Sequence, residues 1–199
     1  MSTNERLNPS SIVFNDLYQL LDAVMLAGAE MSMGKGQSLL ARMSISRRQH
    51  SWRLLYWYMV ILQAHGVDMR IRGYQSVVRT GSMTFSSQHH PLLVRAHRRW
   101  YRARGKQLPI DIHLDKPTLC IWLTGALRRW AMRDCNSKTV TLSTPPCHPM
   151  SLSGLTSQLQ EHLPIEGTKL LQRSARIKVS AQDAVALVDG MVPANVWRY

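Results

Sequence analysis

The residues able to do chemistry in this chain of 199 amino acids fall into few useful arrangements. His89-His90, His97, His113 and His148 are scattered, and no Ser/His/Asp order or His-Glu-x-x-His pattern accompanies them. Gly34-Lys35-Gly36 is too short to cradle a phosphate as a glycine-rich loop does. The three cysteines are an odd number without a Cys-x-x-Cys pair. Cys135, Cys147 and His148 match no zinc spacing, and Cys120 lies in an apolar stretch that reads as packing. A reducing compartment follows from this cysteine usage. No cofactor, metal or small-molecule substrate is expected.

Charge is where the chain departs from the ordinary. It holds 25 Lys and Arg against 12 Asp and Glu, a net charge of +13. From Met31 to Ile110 there are 14 Lys or Arg and a single acid, Asp68. A field of one sign on that scale favours a polyanion, most often nucleic acid. Aromatic residues interleave with the cations (Trp52, Tyr56, Trp57, Tyr74, Trp100, Tyr101), as a surface needs if bases are to stack on it. A solvated basic surface is the plain alternative. A membrane is the poorer partner, since no segment approaches the ~20 uninterrupted apolar residues of a spanning helix.

The elements that must position these cations can be placed by periodicity. Residues 1–14 form a polar leader without the basic start and apolar core of a signal peptide, and Glu5 and Asp16 are foreign to transit peptides. A helix starts at Asn15 and keeps Leu17, Leu20, Leu21, Val24, Met25 and Ala29 on a helical period. Gly34 and Gly36 mark a turn, and a strand follows from Ser38 to Ser46. The next helix runs from about Arg48 to His65, with Gly66 as its stop. Strands are expected near Met69–Gly73 and Gln75–Phe85, then a basic helix after Pro91. Arg95, Arg98, Arg99 and Arg102 recur on it at spacings of three and four, so they share one face. A helix from Lys116 to about Arg129 has Pro117 in its first turn. A strand at Lys138–Thr144, a helix at Ser151–His162, a hairpin at Thr168–Gln172 and Ala175–Ser180, and a short helix at Ala181–Val188 complete the chain. Equivalent elements of the two halves recur roughly 95–100 residues apart.

Particular residues sharpen this order. Trp100-Tyr101 ends the basic helix, Gly105-Lys106-Gln107-Leu108-Pro109 forms a loop, and Leu119-Cys120-Ile121-Trp122 opens the next helix. Met25-Leu26-Ala27-Gly28-Ala29-Glu30 closes the first one, and a Pro-x-x-x-Trp-Arg run closes the chain. This succession resembles the LAGLIDADG homing endonucleases of organelle introns, from about Asp16 to Tyr199. There a Trp-Tyr ending and a Gly-Lys-x-[IVL]-Pro loop lead into a helix of the form Leu-x-x-Trp-x-x-Asp-Asp-Gly. The acidic end of that form is missing here: Leu123-Thr124-Gly125-Ala126 stands in its place.

The resemblance implies an α/β (α+β) fold of two pseudo-symmetric αββαββα-type repeats, residues 15–108 and 109–199. The two signature helices would lie at the centre and the sheets would form one concave β-saddle. It also implies a divalent metal held at the ends of those helices, one acid from each, because Mg²⁺ wants hard oxygen ligands. Glu30 is a vestigial candidate for the first acid, and the second has none. The chain therefore reads as catalytically inactive, and as a nucleic-acid binder that keeps the saddle. RNA is the expected partner, ribosomal or intronic, since shape, phosphate contacts and stacking suffice for it. The favoured role is a structural protein of a mitochondrial ribosome, held with other proteins and encoded in the organelle. An intron maturase and an active endonuclease cutting duplex DNA are the alternatives. The expected binding residues are Arg95, Arg98, Arg99 and Arg102 on the basic helix, with Arg104 and Lys106 after it. Arg47, Arg48 and Arg53 would start the matching helix of the first half. Arg42, Arg70, Arg72 and Arg79 would lie on the strands. Reversing Arg98 and Arg99 to Glu is expected to weaken RNA binding without unfolding the protein.

Overall fold

The computed structural model describes residues 17–34, 37–48, 52–72, 82–102, 105–133, 135–170, 174–192 and 196. The first half runs α1 (Leu17–Leu26), β1 (Glu30–Gly34), β2 (Gln37–Arg48), α2 (Trp52–Ala64), β3 (Met69–Arg72), β4 (Ser82–Ser87) and α3 (Leu92–Trp100). A two-stranded hairpin, β5 (Tyr101–Arg102) and β6 (Gly105–Lys106), joins it to the second half. That half runs α4 (Lys116–Arg133), β7 (Thr139–Ser143), α5 (Pro149–Gln160), β8 (Ile165–Leu170), β9 (Ala175–Ser180) and α6 (Ala181–Asp189). The sheets are antiparallel, with orders β1-β2-β4-β3 and β7-β9-β8. Thus β2, β4 and β3 correspond to β7, β9 and β8, and among the described residues β1 has no counterpart in the second sheet.

The two central helices pack on each other and are buried nearly all round. In α1 every residue from Leu20 to Leu26 is buried, and in α4 every residue from Thr118 to Arg128 is. A helix apolar on all faces belongs inside a core, and one continuous core spans both halves from Leu20 to Val196. Asp115 caps α4 by accepting from the Thr118 N–H at 2.8 Å, one of the four donors a helix start leaves orphaned.

The ends of α1 and α2 are set by glycine. The Gly28 N–H donates to the Met25 carbonyl and the Ala29 N–H to that of Val24, with Gly28 at φ 100°. Gly66, at φ 82°, repeats this arrangement with Gln63 and Leu62. Both are Schellman endings, which need the left-handed conformation that a Cβ penalises.

Four expectations are corrected. Glu30 does not end the first helix; the Gly28 turn places it in β1, a strand the sequence reading missed. Arg47 and Arg48 do not start α2, because β2 continues through them, opposite Met83 and Ser82 of β4. Arg102 leaves the basic helix for β5, since the Tyr101 backbone is extended, at φ −120° and ψ 122°. Finally, α4 runs to Arg133 rather than stopping near Arg129. Among the described residues no helix is long and apolar enough to cross a membrane.

Candidate nucleic-acid interface

Strand alternation sorts the first sheet into two faces. Met31, Ala41, Met43, Ile45 and Phe85 point into the core. The other face carries Glu30, Ser32, Arg42, Ser44, Ser46, Thr84, Ser86 and Arg70, aligned by the pairs Glu30–Ser44, Ser32–Arg42, Ser44–Ser86, Ser46–Thr84 and Arg70–Ser86. The Arg42 Nε donates to the Ser32 Oγ at 3.1 Å, which orients its guanidinium. Arg70 meets Asp68 at 3.3 Å, with both side chains well exposed. Pairs that wet contribute about 0–1 kcal/mol and leave the arginine available to another anion. In the backbone register Arg48 pairs with Ser82 and Arg72 with Thr84. The side chains of Arg47, Arg48 and Arg72 lie outside the described residues, as do Arg79 and Arg104 entirely. Arg53 is half-buried at the start of α2.

The basic helix divides its arginines between two tasks. Arg98 and Arg102 are exposed, and the exposed Arg95 lies over the Tyr18 ring at 5.0 Å. Arg99 turns inward, against its expected place among the binding residues. It grips both carboxylate oxygens of Asp22 in α1 and reaches Asp111 at 3.2 Å. The Trp100 indole N–H adds a bond of 2.6 Å to Asp22. Burial pushes the Asp22 carboxyl above the usual range, against the pull of Arg99 and Trp100. Burial alone would lower Arg99; its two carboxylate partners more than offset that and hold it charged. Reversing Arg99 would thus break a buried pair, not an exposed contact.

Lys106 is also committed. Its ammonium donates to the carbonyls of Met25 at 2.8 Å and Ala29 at 2.6 Å, at the C-terminal end of α1, where the helix dipole favours a cation. It also sits 5.6 Å from the Trp100 ring centre.

The second sheet has a polar face that the sequence reading passed over. Arg176 and Lys178 project from β9 opposite Ser143 and Thr141 of β7, and Lys169 of β8 faces Arg176. Arg176, Lys178, Ser143 and Thr141, with Ala126, Arg129 and Trp130 of α4 and with Ser137 and Thr139, line a trough of about 360 Å³. An adjoining cavity of about 490 Å³ shares Thr141, Arg176 and Lys178 and reaches Glu166 and Lys169. The signal was present in Ala-Arg-Ile-Lys-Val-Ser, whose period-two pattern puts both cations on one face. The denser run from Met31 to Ile110 drew the reading away from it.

No protein-family model matches the sequence, and no curated protein matches it. Solved structures do resemble it. Full-length DUF199/WhiA from Thermatoga maritima superposes with a TM-score of 0.50 at 9% identity, over 94% of this chain and 60% of that one. The chain therefore spans 60% of the length of that protein. The N-terminal LAGLIDADG domain of DUF199/WhiA gives 0.48 at 10% identity, covering 96% and 95%. I-DmoI, in complex with DNA and Mn, gives 0.48 at 11%, covering 87% and 97%. The fold is that of the LAGLIDADG proteins.

The resemblance makes α1 and α4 the signature helices and implies a divalent metal at their ends, which the residues there can be tested against. At the end of α1 stand Ala27, Gly28 and Ala29. In α4 the family's two acids fall on Gly125 and Ala126. A Cβ at Gly125 would lie 3.5 Å from the hydroxyl of the buried Tyr58, which itself donates to the Ile121 carbonyl at 3.1 Å. None of these residues offers a side-chain oxygen, and the Lys106 ammonium occupies the carbonyls nearest the end of α1. Glu30 is exposed on the strand beyond. The residues present do not fit a divalent metal at the helix ends. Cys120 is no alternative nucleophile, because burial pushes its thiol up to about 12.

Proposed function

We propose that this protein is a non-catalytic RNA-binding protein on a LAGLIDADG scaffold. Its host would be a large ribonucleoprotein, with a mitochondrial ribosome the favoured one. The observation that carries the reading is a dissociation of two features that a nuclease needs together. The signature positions Ala27–Ala29 and Gly125–Ala126 carry no carboxylate, while the polar strand faces keep cations and hydroxyls: Arg42, Arg70, Ser32, Ser44 and Ser46 on one sheet, Arg176, Lys178, Thr141 and Ser143 on the other. Arginine with serine and threonine is the composition that grips phosphate and sugar. In-line phosphodiester hydrolysis needs charge neutralised on attacking and leaving oxygens, and these helix ends supply nothing to do it. Structured RNA offers phosphates, 2′-hydroxyls and unpaired bases to such a surface.

The test pairs a variant with a competition. Arg42→Glu combined with Arg176→Glu should weaken binding to structured RNA and shrink the log–log salt slope by about 2. The fold should persist, since both side chains project from the polar faces. Sedimentation of the native protein with and without RNase, followed by sequencing of the bound RNA, tests the host. Ribosomal RNA in a subunit-sized particle supports the ribosomal role. One enriched intron would turn the reading to a maturase. Preference for duplex DNA over structured RNA at matched salt would overturn it.

A further inference from the structure

We infer that the trough on the second sheet receives one unpaired nucleotide of the bound RNA, its base stacked on Trp130 and its phosphate held by Arg176 and Lys178. The inference rests on the RNA-binding reading and assigns the feature of RNA that this half recognises.

The trough exists because α4 does not stop. It runs on past Leu127 to Arg133 beside β7, and this extension carries Arg129 and Trp130 to the wall of the trough. The Trp130 indole N–H donates to the Ser137 carbonyl at 2.9 Å, which fixes the ring plane. The ring is half-buried: one part packs on the core, the rest walls the trough. Thr141 stands opposite Lys178 and Ser143 opposite Arg176, so each cation has a hydroxyl beside it. Arg176 and Lys178 line both adjoining cavities, whereas Glu166 lines only the outer one. Among the described residues that line the trough none is acidic, so a phosphate there meets Arg176 and Lys178 unopposed.

Size and chemistry then choose the ligand. A cavity of about 360 Å³ is at the small end of the ~300–1,000 Å³ range of small-ligand sites. It takes one nucleotide and excludes a duplex. A fixed aromatic wall over a basic, hydroxyl-bearing floor is the arrangement that binds single strands, where a base has a free face to stack. In a paired helix both faces are already covered. Among the described residues the first sheet has no aromatic wall of this kind, because β1 lies along that edge.

The experiment compares two fluorescein-labelled RNA duplexes, one intact and one with a single bulged uridine. Wild type should prefer the bulged RNA by roughly tenfold. Trp130→Ala should abolish the preference, and Trp130→Phe, which keeps a ring, should retain part of it. Trp130 also packs on the core, so a second measurement uses the unaltered protein. With 5-bromouridine at the bulge, irradiation should place the adduct on the peptide containing Trp130. Equal affinity for the two duplexes, or an adduct elsewhere, overturns this inference and leaves the RNA-binding reading standing. Binding of neither RNA overturns that reading first. Displacement of the bulged RNA by uridine monophosphate as effectively as by unlabelled bulged RNA would make a free nucleotide the ligand, and would overturn the assignment to RNA.

Discussion

The two signature helices end differently. Helix α1 stops at Gly28, and the chain turns at once into β1. In α4 the family's terminal glycine falls on Leu127, buried and helical, and the helix continues to Arg133. One residue type at one position thus separates a four-stranded sheet from a three-stranded one. Glycine reaches the left-handed conformation at little cost, while a leucine there would lose roughly 1–2 kcal/mol. The consequence extends to the polar faces of the two sheets. The first half offers an open strand face with Arg42 and Arg70, whereas the second offers a walled trough with Arg176 and Lys178.

The halves also differ in how their central helices are held, and the largest predicted effect tests this. Helix α1 is tied to α3 by a charge pair whose side chains are 8% exposed for Asp22 and 24% for Arg99. Helix α4 meets the C-terminal region differently: the Cys120 sulfur lies 3.3 Å from that of Met191, and Arg128 donates to the Val196 carbonyl. Asp22→Ala strands a half-buried guanidinium and an indole N–H. It should cost about 3 kcal/mol, the lower end for breaking a buried pair, because Asp111 still reaches Arg99. The urea midpoint should fall with an unchanged m-value. A loss below about 1 kcal/mol would mean that the pair behaves as a surface pair, and this contrast between the halves would disappear.

Much of the fold was legible in the sequence because periodicity and punctuation agreed. Leu20, Leu21, Val24 and Met25 announced a buried helix, Gly66 announced its stop, and the alternation in Thr139–Ser143 and Ala175–Ser180 gave two strands. The strand β1 was not legible: Glu-Met-Ser-Met-Gly is short, and the small residues of Leu-Ala-Gly-Ala read as more helix. Sequence gave no sign that Gly28 would take a positive φ. Of the proposed interface, the sequence showed the cations but not which of them are taken up inside the fold. Spacing placed Arg95, Arg98 and Arg99 on one helix, but spacing cannot tell which of them meets an acid distant in sequence. Asp22 lies 77 residues before Arg99. The second-half trough depends on where α4 ends, so Trp130 could not be set beside Lys178 before the fold was known.

A smaller effect sharpens the comparison at the helix end itself. Gly28→Ala forces a Cβ onto φ 100° and should cost about 1–2 kcal/mol. Because the Lys106 ammonium bonds the Ala29 carbonyl beside this turn, hydrogen exchange should quicken in β1 and at the end of α1, while β7 and β9 stay protected. No change in stability would mean that the turn relaxes without glycine, and that the ending of α1 has another cause.

The smallest effect concerns acid sensitivity, which should belong to the first half. His97 of α3 stacks on Tyr101 with ring centres 4.6 Å apart and planes 4° apart. The Tyr101 hydroxyl in turn accepts from the Met31 N–H of β1 at 3.0 Å. Burial lowers His97 below its usual value of 6.5, so the folded protein favours the neutral ring. Its stabilising share is complete above the unfolded value, about 6.5, and is lost as pH falls through the lower folded value. Asp22 runs the other way. Its carboxyl is raised by burial, so its share is complete below the ordinary carboxylate range and shrinks as pH rises through the folded value. Comparing wild type with His97→Gln cancels the Asp22 share, since both proteins keep that group. The wild-type urea midpoint should fall relative to the variant between pH 7 and pH 5, by a modest amount because the ring is only half-buried. Parallel curves for the two proteins would show that the stacked imidazole is not what couples the first half to acid.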